Sequence, residues 1–359
     1  MKPEDAGRRA AVELSFDGVD ITEDMRRFFL DLSYTDNEED ETDDLQLTLQ
    51  DREGLWLKSW LNDAMDAAAS GSGGSGFLIR AAILRKNWKG DGATEKLDCG
   101  SFELDSVKVG GPPSVVKIKA TSLPFSTQAR QTEKTQAWEA YFLSGILNEI
   151  AGRNGMEAMF LPESDPYYAR REQFKTSDIT FLEKLCHDAG LSLKCTNNRI
   201  VIFDQATFEA NAPVLTLRPG RIGHEYTKYD LDAGAADTQY ATCRVSYTDP
   251  ESGVSIEAVA KSEDADKKNT QQLEITAKVA SVGEAEALAK KMLRLHNKYG
   301  KTVAFTLPGN PALVAGCTFD LEGWGPWSGR YIISQAKHSV KKSGGYTVQI
   351  KGRRRLNGY

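Results

Sequence analysis

Hydrophobic and polar residues alternate along most of this chain, with the two-residue period of strands that bury one face. Val12, Leu14 and Phe16 alternate, Asp17-Gly18 turns the chain, and Val19 and Ile21 follow as the other arm of a hairpin. The rhythm continues through Phe28 to Tyr34, Leu45-Leu47-Leu49, Phe77 to Leu84, Leu97 to Val109 and Val115 to Thr121. Gly110-Gly111-Pro112-Pro113 separates the last two. Leu55 to Met65 fits a short helix, and the Gly- and Ser-rich residues 67–76 read as a flexible loop within the same unit. Six strands and a helix in this span predict a small, closed or nearly closed barrel.

The period then changes. Trp138, Tyr141, Phe142, Ile146 and Ile150 are spaced as on an amphipathic helix. Ser177 or Asp178 can cap a second helix, whose Ile179, Leu182, Leu185, Cys186 and Ala189 face one way before Gly190 ends it. Leu191 to Cys195 and Arg199 to Phe203 pair across Thr196-Asn197-Asn198. From about Ala212 strands return, at Val214 to Leu217, Arg221 to Leu231, Tyr240 to Tyr247, Val254 to Ala260 and Gln271 to Ala277. Ser281 with Glu284 three residues on forms a capping box. Ala285, Leu288, Ala289, Met292, Leu295 and Tyr299 then mark one apolar stripe, stopped by Gly300. Lys301 to Leu307, Leu313 to Leu321, Gly329 to Val340 and Tyr346 to Ile350 complete an antiparallel meander, on which this helix is expected to lie.

The order of features from Lys301 to Arg354 resembles the late control protein D family, the baseplate hub proteins of contractile-tailed phages and related injection machines. It is carried by the preceding helix, a strand opening at Val314-Ala315-Gly316, the Gly-rich aromatic loop, Gly329-Arg330-Tyr331-Ile332-Ile333 running to His338, and Gly345-Tyr346-Thr347 before a basic end. Thr176 to Asp204 resembles the small α/β insert of the same family. The resemblance implies a mainly β chain in which two tail-tube-like antiparallel β-barrel domains, each with a helix, flank a small α/β domain. The expected division is 1–125, 126–211 and 212–359. It further implies a homotrimer that adapts a sixfold tail tube protein to a threefold central spike, among other baseplate proteins, with DNA or an effector passing through the lumen. Because the sequence stops at Tyr359 with no needle-like extension, the spike is expected to be a separate protein. The expected location is the tail baseplate of a virion or phage-tail-like particle assembled in the bacterial cytoplasm.

Charge and chemistry narrow this. The net charge of −6 argues against a general nucleic-acid binder and fits an acidic channel. Five cysteines, with no CxxC spacing, read as free thiols of a reducing compartment. No apolar run reads as a secretory signal or a membrane span. Asp36 to Asp44 holds seven carboxylates but lacks the turn glycine of a calcium loop, and reads as a solvated loop. Cys186 and His187 are neighbours on one helix and point about 100° apart, which denies them a thiol–base partnership and puts Cys186 in the core. His224, His296 and His338 lack metal-ligand spacing; His338 reads as a packed or hydrogen-bonded imidazole. No catalytic, cofactor-binding or metal-binding motif is present, so no cofactor is expected and the chain reads as non-enzymatic.

Two features remain as candidate partner interfaces. Trp324 and Trp327, on the loop Gly323 to Gly329, can close a barrel end, anchor a protein interface or stack on a sugar ring. Arg353, Arg354 and Arg355 form a basic cluster suited to a salt-sensitive contact with an acidic neighbour. The competing reading is a peptidoglycan-directed hydrolase or glycan-binding module released on lysis.

Overall fold

The computed structural model describes residues 7–51, 54, 77–122, 129, 132–234, 239–250, 253–263 and 270–357. The expected helix at Leu55 to Met65 and the loop 67–76 lie outside the described residues, as does the expected boundary at 125.

The first region contains β1 (Arg9–Phe16), β2 (Val19–Asp20), α1 (Thr22–Arg26), β3 (Phe29–Asn37), β4 (Asp44–Gln50), β5 (Leu78–Lys86), β6 (Thr94–Gly110) and β7 (Val115–Thr121). The middle region contains β8 (Lys134–Phe142), α2 (Leu143–Arg153), β9 (Glu157–Phe160), β10 (Tyr167–Thr176), α3 (Asp178–Asp188), β11 (Ser192–Thr196), β12 (Arg199–Phe203) and α4 (Gln205–Glu209). The last region contains β13 (Thr216–Leu217), β14 (Lys228–Ala233), β15 (Thr242–Thr248), β16 (Ser255–Lys261), β17 (Gln272–Thr276) and α5 (Val282–Asn297). It ends with β18 (Lys301–Pro308), β19 (Thr318–Leu321), β20 (Gly329–Lys341) and β21 (Gly345–Arg354).

The first and last regions share one sheet. Its thirteen strands run β14-β18-β21-β20-β3-β4-β7-β6-β5-β1-β2, with β19 on β20 and β13 on β19. The joint is the thirteen-residue β20, which pairs with β21 and, over residues 335–341, with β3 on the other edge, with His338 opposite Tyr34 and Val340 opposite Leu32. The alternation of both strands turns Leu32, Tyr34, Ala336, His338 and Val340 inward, so one buried face continues across the joint. The sheet curls until β1 lies close to β20 and β21. Among the described residues the hydrogen-bonded path stays open.

The middle region departs from expectation in its first helix. Trp138 to Phe142 belong to β8, which pairs with β10 as a ribbon (Trp138 opposite Arg171, Phe142 opposite Tyr167), and α2 begins only at Leu143. The ribbon buries Trp138 and Tyr168 against α2 and α3, which explains why aromatic residues at helical spacing are found on a strand. Helix α3 is capped as expected, with Ser177 Oγ accepting from the Thr180 amide.

Helix α5 starts at the expected cap, Ser281 Oγ accepting from the Glu284 amide. It does not lie on the meander that follows. It covers the separate sheet β16-β15-β17, where Ala285, Ala289, Met292 and Leu293 meet Cys243, Val245 and Ala260. The meander fills its own interior with Val303, Phe305, Leu307, Val348 and Ile350. Three apolar clusters result, one in the large sheet, one in the α/β insert and one under α5, and they have no residue in common.

Candidate functional site: a charged seam and a basic cleft

Where the three apolar clusters approach one another, charge replaces hydrocarbon. The Asp36–Asp44 run, expected to be solvated, carries Asp36, Glu38 and Asp43 buried to within 5% of full closure. The loop is self-braced: the Asn37 amide donates to Asp43 Oδ1 at 2.9 Å and Asn37 Nδ2 to the Thr42 carbonyl at 2.9 Å. Several of its remaining valences go to the insert. Lys194 Nζ, on β11, donates to Asp36 Oδ1 at 2.5 Å and to the Asn37 carbonyl at 2.6 Å. Thr196 Oγ1 donates to Asp43 Oδ2 at 3.0 Å, and the Asp40 amide to the Leu193 carbonyl at 3.1 Å. A charge can be buried at tolerable cost only with partners placed in this way, which is why Asp36, Glu38 and Asp43 are out of water while Asp40 and Glu41 of the same run stay exposed.

The same seam extends to α5 and the C-terminus. Lys298 Nζ pairs with Glu39, and Ser192 Oγ donates to Glu39 Oε2 at 2.5 Å. Arg294 Nη2 donates to Asp204 Oδ1 at 2.8 Å, with Lys291 Nζ 3.3 Å from Asp204 Oδ2. Arg353 donates to Glu38 through Nε and Nη2 at 3.2 and 2.9 Å and to Glu209 through Nη1 at 2.6 Å. Burial pushes the Asp43 carboxyl up to about 6, against the opposing pull of Lys194. For Glu39 burial acts upward too, but Lys298 and its hydrogen bonds bring the carboxyl below its ordinary value.

This placement corrects the reading of Arg353. Its side chain is fully buried and satisfied inside the chain, so it is not part of an exposed basic cluster. Arg354 and Arg355 remain half-exposed and line a cleft of about 460 Å³ with Asp320, Leu321, Glu322, Gly329, Arg330 and Asn357. Arg354 Nη1 donates to the Pro326 carbonyl at 3.2 Å.

Trp324 is half-buried over the end of the large core. Its Nε1 donates to the Leu217 carbonyl at 3.0 Å, and its ring meets Tyr229, Phe305 and Tyr226 at centroid distances of 5.0, 5.6 and 5.8 Å. Trp327 ends a short 3-10 turn and also packs against the core, its carbonyl accepting from Tyr331 Oη at 2.9 Å. The turn thus holds the two rings at one end of the sheet.

His338 and four of the five cysteines are buried. His338 Nε2 lies 2.9 Å from the Leu313 carbonyl, which only accepts, so this nitrogen carries the proton and Nδ1 accepts from Tyr346 Oη at 2.7 Å. Burial lowers its pKa to about 4 and keeps it neutral. All five cysteines are free thiols, and burial raises Cys186. His187 does not serve that thiol; its ring lies against His296, 6.1 Å between centroids. Among the described residues no three His, Cys, Asp or Glu side chains are grouped to hold a metal ion, and no helix is long and apolar enough to cross a membrane.

The chain belongs to the phage tail baseplate hub (GPD) family, whose model matches residues 123–344. The probable baseplate hub protein of Escherichia phage P2 is 28% identical over 180 residues, 49% of this chain and 41% of that protein. The chain therefore spans less than half the length of this curated relative. The tail protein from Neisseria meningitidis MC58 has the same fold at a TM-score of 0.66 and 10% identity, covering 96% of this chain and 97% of that one. A component of the type VI secretion system of Escherichia coli aligns at a TM-score of 0.54 and 12% identity, covering 96% of this chain and 78% of its own.

The capping box, the buried Cys186 and the hydrogen-bonded His338 were legible in sequence. The charged seam was not. Lys194, Arg294 and Lys298 carry no local signal, because each finds its carboxylate 90 to 259 residues away in sequence. An acidic run placed directly after a strand with a buried face was the one available hint.

Proposed function

We propose that this chain is a structural baseplate hub: a homotrimer that adapts a sixfold tail tube to a threefold central spike, at the baseplate of a virion or phage-tail-like particle. The observation that carries this reading is the family match from residue 123 to 344, which runs through the insert and most of the last region. The shared sheet supports it physically. A hub transmits force between tube and spike, and one ladder running from β14 to β2 resists separation of the first and last regions better than two bodies on a linker. The curled sheet supplies a tube-like wall, and cyclic assembly of three copies satisfies its lateral surfaces. The buried His338 and the buried thiols of Cys99, Cys186, Cys195 and Cys243 fit a part whose work is mechanical. With a net charge of −6, an acidic lumen lets DNA or an acidic effector pass without sticking.

Electron-microscope class averages of the purified protein provide the test. Collars with a threefold axis and six-lobed outline support the hub. Isolated single copies that digest or retain purified peptidoglycan contradict it and favour the wall-directed alternative.

A further inference from the structure

The cleft beside the C-terminus has an uneven charge count. Its two carboxylates are already neutralised. Asp320 receives Arg330 through Nε and Nη2 at 2.9 and 3.1 Å, and Glu322 receives Arg218 Nη2 at 2.6 Å. Arg354 and Arg355 have no carboxylate partner among the described residues. On a chain whose net charge is −6, that leaves two unneutralised guanidinium groups in one concavity of about 460 Å³.

They are also held in place. Arg354 is braced on the Pro326 carbonyl, and its guanidinium lies across Gly329, where an added Cβ would stand 3.4 Å from Nη2. The φ of +141° at Gly329 disfavours any side chain there, so the glycine keeps this approach open. The Arg355 amide donates to the Arg330 carbonyl at 2.9 Å, which ties the backbone of the second arginine to the wall of the cleft. A preorganised fork such as that of Arg354 matches the geometry of a carboxylate and loses little freedom on binding.

We propose that the Arg354–Arg355 cleft is a docking site for a short acidic segment of a partner protein, read through carboxylate–guanidinium pairs. A nucleic acid fits less well. Phosphate tracking needs an extended basic surface, whereas this cleft offers two arginines between Asp320 and Glu322 on an acidic chain. The cleft is sized for one or two side chains.

The test uses the full chain and a fluorescently labelled hexaglutamate peptide at low salt, with a duplex oligonucleotide as a second probe. The site predicts saturable peptide binding that weakens about tenfold for each of Arg354→Gln and Arg355→Gln, since a hydrogen-bonded charge pair contributes about 1.5 kcal/mol or more. Lys341→Gln removes the same single charge at the β20–β21 turn and should leave binding unchanged. Arg355→Gln does not touch the Pro326 brace, so its reading is free of any packing change at Arg354. Three results overturn the proposal: no peptide binding, equal loss in the lysine control, or stronger binding of the oligonucleotide than of the peptide.

Discussion

Phe305 on β18 and Arg353 on β21 belong to adjacent strands of one sheet, and neither exposes more than 1% of its surface. Their surroundings are opposite in kind. Phe305 meets Tyr226, Tyr229, Phe319 and Trp324, contacts that tolerate small rotations because hydrocarbon packing has no preferred direction. Arg353 meets two carboxylates through three nitrogens at set angles, and a small displacement breaks the match. The difference teaches how the chain divides its labour. Apolar clusters fill the large sheet, the insert and the space under α5 separately, whereas buried ion pairs join the insert and α5 to the large sheet. Buried charge pairs add little net stability, since desolvation offsets their attraction, but they penalise every mismatched arrangement.

This contrast can be broken from the charged side. Arg353→Met should cost about 3–5 kcal/mol, because it leaves Glu38 and Glu209 buried without a partner. Adding Glu38→Leu and Glu209→Leu should recover most of that loss in urea unfolding, although the packing of α4 on the sheet will be less well defined. Phe305→Ala should cost about 3–5 kcal/mol as well, yet no second substitution of this kind restores it, because the loss is a cavity.

Acid sharpens the contrast, since the two environments titrate in opposite directions. His338 is held neutral with its pKa lowered to about 4, while the unfolded chain protonates near 6.5. Its contribution is present above pH 6.5 and is lost as pH falls toward 4, by roughly 3 kcal/mol at most. Asp43, pushed up to about 6, works the other way: its contribution is present below its ordinary value of 3.8 and is lost as pH rises through 6. Urea midpoints from pH 4 to 7.5 should therefore rise more steeply in Asp43→Asn than in the parent, and less steeply in His338→Gln. The smallest effects are expected at exposed polar contacts. Ser281→Ala should lower stability by about 1 kcal/mol through the lost cap. Arg244→Ala, which opens the solvent-exposed pair with Glu257, should leave the urea midpoint almost unchanged.

The same division explains what was legible in the amino-acid order. Leu45-Leu47-Leu49 and Val303-Phe305-Leu307 announce strands because each buries one face, and a two-residue period is local information. The cap at Ser281 is local too. That β20 joins β3, that α5 turns to β15 and β16, and that Glu38 meets Arg353 across 315 residues are decided by tertiary fit. Trp138 shows the limit within one element: its spacing from Tyr141 suits a helix, but the ladder to β10 wins. Of the candidate interface residues, Arg354 and Arg355 reach the surface, and Arg353 does not because two acids pair with it inside the chain. One of those acids, Glu38, lies in the run that composition alone assigned to water.

The most direct test of the hub is the native mass of the purified chain over a range of concentrations. The account predicts a species of three chain masses that persists on dilution, consistent with a ring closed by cyclic symmetry. A single chain mass at every concentration would contradict it.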